Sequence, residues 1–113
     1  MIDQHEKTDL LIAMLQESLP IEANITSPLA KLLAEKSPET PIPARCNVTG
    51  VFYTGDMGGI ICVLDIGGPD TKTPHLVSIT HLAFHRRVPL SREIEAYQRH
   101  RTKKLRQQQN RRY

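Results

Sequence analysis

Arg45-Cys46-Asn47-Val48-Thr49-Gly50-Val51-Phe52-Tyr53-Thr54-Gly55-Asp56-Met57-Gly58-Gly59-Ile60-Ile61-Cys62-Val63-Leu64-Asp65-Ile66 contains two apolar runs parted by a cluster of glycines around one aspartate. Valine, isoleucine and aromatic residues suit a pleated, half-buried surface, whereas glycine and aspartate suit a tight turn. The pattern predicts a strand over about Arg45–Thr54, a turn at Gly55-Asp56-Met57-Gly58 and a second strand over Gly59–Ile66. Period-two alternation puts Ile60, Cys62, Leu64 and Ile66 on one face and Ile61, Val63 and Asp65 on the other. As the most apolar run of the chain, this second strand is expected at the centre of its sheet.

A further turn region, Gly67 through Pro74, leads to a third strand over His75–Leu82. The middle of the chain thus reads as a three-stranded antiparallel meander. Toward the N-terminus, Leu10, Leu11, Met14, Leu15 and Leu19 recur at helical spacing, so a helix is expected from about Gln4 to Ser18. Asp3 and Glu6 have the spacing of a helix cap, and Pro20 ends the element. A short second helix follows, with Ser27 as cap, Pro28 in the first turn and Leu29, Leu32 and Leu33 inward. Residues 37–44 carry three prolines in eight positions and form an extended connector.

Pro89 and Ser91 start a long C-terminal helix whose inward stripe is Leu90, Ile94 and Tyr97. Arg101 is next on that stripe, followed only by Leu105. The first half of this helix is therefore expected to pack and the second half to project, with a frayed tail from Gln107. The expected fold is α+β: N-terminal helices and a long C-terminal helix packed on a three-stranded antiparallel sheet. One domain spans residues 1–98, with a helical part over 1–36, the connector, the sheet over 45–82 and the helix start over 89–98. Residues 99–113 form the basic extension.

At 113 residues the chain has the length of one domain and can bury roughly two-thirds of its unfolded surface. Neither disulfides nor a structural metal are required for folding at this size. Two cysteines within apolar patterns read as buried thiols. The N-terminus has no basic segment followed by an apolar one, and no run approaches a membrane span. Cytoplasmic residence without membrane attachment is the expectation, and the two Asn-X-Thr sequons, at Asn24 and Asn47, carry no weight.

Charge is the most informative functional signal. Residues 86–113 hold ten basic side chains against Glu93 and Glu95, a net of +8; the other 85 residues hold five basic and ten acidic, a net of −5. An acidic body with a basic arm points to an anionic partner. Arg99, Arg101, Lys103, Lys104 and Arg106 are the expected phosphate contacts, with Arg86 and Arg87 extending that surface. The expected partner is nucleic acid, RNA above all, because arginine-rich segments order on RNA. An acidic protein surface is the rival, as is an adaptor role, with homodimerisation through Leu10, Leu11, Met14 and Leu15. In order of elements the chain resembles the double-stranded-RNA-binding domain. That family places a lysine cluster at the start of its last helix, where this chain has Pro89-Leu90-Ser91-Arg92-Glu93.

Other chemistries find less support. Thr54-Gly55-Asp56-Met57-Gly58-Gly59 lacks the lysine and hydroxyl of a phosphate-binding loop and joins two strands. His75, His81 and His85 lack the close paired spacing of zinc ligands. Cys62 with His81 is the one nucleophile–base pair that adjacent strands would allow, and its apolar neighbours argue for an inert thiol. A non-enzymatic binding module without a cofactor is the resulting expectation.

Overall fold

The computed structural model describes residues 5–36, 42–55, 58–66 and 75–110. The fold is α+β, as expected, but its sheet has five antiparallel strands. Chain order is α1 (His5–Ser18), β1 (Ile21–Ile25), α2 (Ser27–Lys36), β2 (Arg45–Tyr53), β3 (Ile60–Asp65), β4 (His75–Ser78), a single 3-10 turn (Ile79–His81), β5 (Leu82–Ala83) and α3 (Ser91–Asn110). The strands lie in the order β4-β3-β2-β1-β5. The interior position expected for β3 holds, flanked by β2 and β4, while the middle of the sheet is β2.

Two strands depart from the three-stranded meander. β1 lies inside the N-terminal third that was expected to be helical. Ile21-Glu22-Ala23-Asn24-Ile25 alternates apolar and polar residues, and Ile21 and Ala23 are buried while Glu22 and Asn24 are exposed. Five residues after a proline stop give a faint signal; pairing with Arg45–Val48 makes them a strand. The third expected strand divides: His75–Ser78 pairs with β3, the 3-10 turn redirects the chain, and Leu82–Ala83 pairs with β1 at the far edge. The added strands also separate this topology from the helix–three strands–helix order of the double-stranded-RNA-binding domain.

Within β2 the register slips between Val48 and Gly50. The extra residue lets Val48 and Val51, three apart, both face inward, which strict alternation forbids. Gly50 lies opposite Val63, and a Cβ there would stand 3.3 Å from Val63 Cγ2. The inner face presents Cys46, Val48, Val51, Ile60, Cys62 and Leu64 to a core completed by Leu11, Leu15, Leu29, Leu33, Ile79 and Ile94. On the outer face, Glu22, Asn47 and Asp65 stand in one cross-strand row, and Phe52 opposite Ile61 in another.

The cap of α2 is Thr26, one residue before the expected Ser27. Its Oγ1 accepts from Leu29 N–H at 3.4 Å and donates to His81 carbonyl oxygen at 2.9 Å. A helix start and the 3-10 turn are thereby tied together. Asp3, residues 67–74 and most of the proline connector lie outside the described residues; Ile42 packs against the core.

α3 is fastened to the sheet at three points. Tyr97 Oη accepts the Ile60 N–H at 3.1 Å, and Gln98 Nε2 donates to the Ile79 and Leu82 carbonyls at 2.7 and 2.8 Å. Gly59 is the third. Its φ of 67° is the left-handed region, and a Cβ would collide with Tyr97 Oη and lie 2.8 Å from Arg101 Cζ. Gly59→Ala therefore meets both a steric block and backbone strain. It is expected to cost at least about 1–2 kcal/mol, measured as a lower urea midpoint, and to cost more than an alanine at Gly55, which shares the left-handed φ, at 75°, but has open space at its Cβ position.

Candidate functional site

The basic residues of α3 occupy two opposite faces. At 100° per residue, Ile94, Tyr97 and Arg101 share the packed face, and all three are buried. Arg92, Arg99, Lys103 and Arg106 follow at i, i+7, i+11 and i+14 on the solvent face, all exposed. They form a ridge about 21 Å long at 1.5 Å per residue. Lys104 is exposed but stands about 120° around the helix from Arg92, toward the phase of Tyr97, so it lies off the ridge. Thr102 through Gln107 are all exposed, so the second half of the helix projects as expected, though helical structure continues to Asn110.

Arg101 is the correction to the expected contact set. It is only 2% exposed, with its guanidinium against the Gly59 backbone. A side chain enclosed there is not presented to a phosphate. Its place one turn beyond Tyr97 on the packed stripe is the physical reason, and the long arginine fills a site that a shorter residue would leave hollow. Arg92, by contrast, gains a place on the ridge, a role visible only once the helical phase is set.

Electrostatically the ridge makes one ion pair among the described residues: Arg99 Nη2 lies 2.5 Å from Glu95 Oε1. Both groups are largely exposed, so the pair is worth well under about 1 kcal/mol and yields readily to a polyanion. Glu95 is the last acidic residue of the chain.

Arg86 and Arg87 are exposed in the turn between β5 and α3. Arg99 stands about 12 Å along the axis from the first residue of α3, and Arg106 about 22 Å. The two arginines therefore lie near the end of α3 opposite its projecting tip. Arg87 instead lines a cleft of about 620 Å3 beside β1, with Glu22, Asn24, Arg45 and His85.

Cys62 is fully buried and His81 is exposed, so the two do not form a nucleophile–base pair. Burial, then the neighbouring Cys46, pushes the Cys62 thiol from 9.0 up to about 12; burial, then Asp65, pushes Cys46 to about 11. Both are protonated and unreactive at neutral pH. Among the described residues no group of three or more His, Cys, Asp or Glu is placed to hold a metal, and no helix is long and apolar enough to cross a membrane.

These thiols predict a pH dependence. Unfolded cysteine ionises near 9.0, whereas the folded thiols hold their protons to about 11 and 12. The folded state thus binds more protons across that window, so its stability is complete below pH 9 and falls as pH rises through it. Melting temperature should decline between pH 9 and 10.5, and the decline should be shallower in the Cys46→Ala/Cys62→Ala variant.

Comparison with protein-family models, with curated proteins and with solved structures returned no match.

Proposed function

We propose that the solvent-facing ridge of α3 binds nucleic acid through its phosphate backbone, with RNA the favoured partner. The observation that carries this reading is the alignment of Arg92, Arg99, Lys103 and Arg106 on one exposed helix face, opposite the face that packs. Along that ridge Arg99 and Lys103 are about 6 Å apart, and Lys103 and Arg106 about 4.5 Å. Phosphates of one DNA strand follow every 3.4 Å of axis, so successive cations reach successive or alternate phosphates. Buried Arg101 serves the interface indirectly, by holding the helix to the sheet. No exposed aromatic row accompanies the ridge among the described residues, which favours backbone and shape recognition over base stacking.

The test is a titration of labelled single-stranded RNA, duplex RNA and duplex DNA at two salt concentrations. Three or four contacts on a single strand give a log–log salt slope of about −2 to −3. Arg99→Glu/Lys103→Glu/Arg106→Glu should abolish binding with the melting temperature nearly unchanged. Arg101→Ala should do the reverse, lowering stability while the folded fraction keeps its affinity. Absence of binding by the intact chain at low salt, or equal binding by the triple variant, overturns the proposal.

A second reading, a protein-interaction adaptor, is supported by an apolar groove of about 430 Å3 between α1 and α3, where Leu10 is 61% exposed beside Met14, Ala96 and His100. The homodimer face expected on α1 is reduced to these residues, because Leu11 and Leu15 belong to the core. If this groove is used, sedimentation shows an assembly that Leu10→Asp dissolves while RNA binding persists.

A further inference from the structure

β1 is only partly covered on its outer side. Ile25 donates its N–H to the Ala44 carbonyl at 2.9 Å, so Ile25 directs its backbone polar groups toward β2. Alternation in an antiparallel pair sends those of Ile21 and Ala23 the same way, and those of Glu22 and Asn24 toward the opposite side. Asn24 meets Ala83 there. The next pair in that register would be Glu22 with His85, but β5 ends at Ala83 and the chain leaves the sheet.

The departure is built in. Val88 N–H is given to the His85 carbonyl at 2.9 Å, Arg87 N–H to His85 Nδ1 at 3.1 Å, and Ser91 Oγ to the Arg86 carbonyl at 3.0 Å. These bonds hold residues 85–91 as a turn away from β1. Between turn and strand opens the cleft of about 620 Å3, a size typical of ligand sites, which run roughly 300–1,000 Å3. Its floor is a strand edge. Its rim carries two guanidinium groups, Arg45 and Arg87, against the single carboxylate of Glu22.

We propose that this cleft binds an extended acidic peptide segment, which adds to β1 as an antiparallel strand in the place that β5 vacates. Main-chain groups of the peptide pair with the outward N–H and C=O of Glu22. Alternate side chains of such a strand fall on one face, so an acidic residue at every second position meets the guanidinium rim. Arg45 is now 3.3 Å from Glu22 Oε1 in a largely exposed pair, a weak contact that a ligand carboxylate displaces at little cost. With Nδ1 accepting from Arg87 N–H, the proton of neutral His85 resides on Nε2, which is a donor for the same ligand. Charge complementarity and an open strand edge together favour a peptide over a nucleic acid, whose backbone offers no amide donors for the Glu22 carbonyl.

The experiment uses the intact, isotope-labelled chain and the blocked pentapeptide Val-Glu-Val-Glu-Val. In amide-resolved NMR titrations, shifts should map to residues 21–24 and 85–88, and the Glu22 amide should gain exchange protection. Arg87→Glu should weaken binding at least tenfold, N-methylation of both glutamates, whose main-chain groups share the register of Glu22, should abolish it, and the Val-Lys-Val-Lys-Val peptide should not bind. Shifts confined to residues 99–106 would overturn the proposal, because the basic ridge would then be holding the peptide. It fails equally if the N-methylated peptide binds as well, if glutarate alone reproduces the shifts, or if the same amides respond to an RNA oligonucleotide or to protein concentration alone.

Discussion

Where α3 crosses the start of β3, one hydrogen bond and one missing Cβ hold the two layers together. The Ile60 N–H would be an orphan donor at the head of a buried strand; Tyr97 Oη accepts it, and this requires the helix to come down on the backbone at Gly59. Only glycine leaves that space and accepts the left-handed conformation there. Once Tyr97 is seated, helical geometry places Ile94 one turn before it and Arg101 one turn after it on the same face. Gln98 then reaches the carbonyls of Ile79 and Leu82, so the short β5 is anchored to the same helix.

That junction also sorts the charge of α3. A helix with cations all round has no preferred face toward a partner. Seating Tyr97 turns Arg101 inward and leaves Arg92, Arg99, Lys103 and Arg106 aligned outward. Guanidinium suits the inner position better than ammonium would, because it is planar and more weakly hydrated, and removing it from water costs less. The buried cation and the exposed ridge are thus one consequence of helical phase.

At the far end of the sheet the controlling constraint is the brevity of β5. β5 is two residues long and meets the outward polar groups of Asn24 alone, through Ala83, and the turn at His85–Val88 then carries the chain away. A longer β5 would have sealed β1 along its length. Its early exit leaves Glu22 at an open edge with Arg87 and His85 facing it.

Local pattern is enough to specify the α+β class, the inward set of β3, the two long helices, the buried thiols and the basic C-terminal quarter. Those features depend on local periodicity and composition, which neighbouring residues carry on their own. Tertiary structure decided the remainder. Ile21–Ile25 became a strand because Arg45–Val48 was available to pair with it, and His75–Ala83 split because its two ends found different partners. The bulge at Val48–Gly50 answers a three-residue spacing of valines that strict alternation cannot place. Arg101 left the exposed set and Arg92 joined it because the phase of α3 is set by a contact with Gly59, 42 positions earlier in the chain. Pairing and packing join residues remote in sequence, and local pattern carries no record of which remote partner is met.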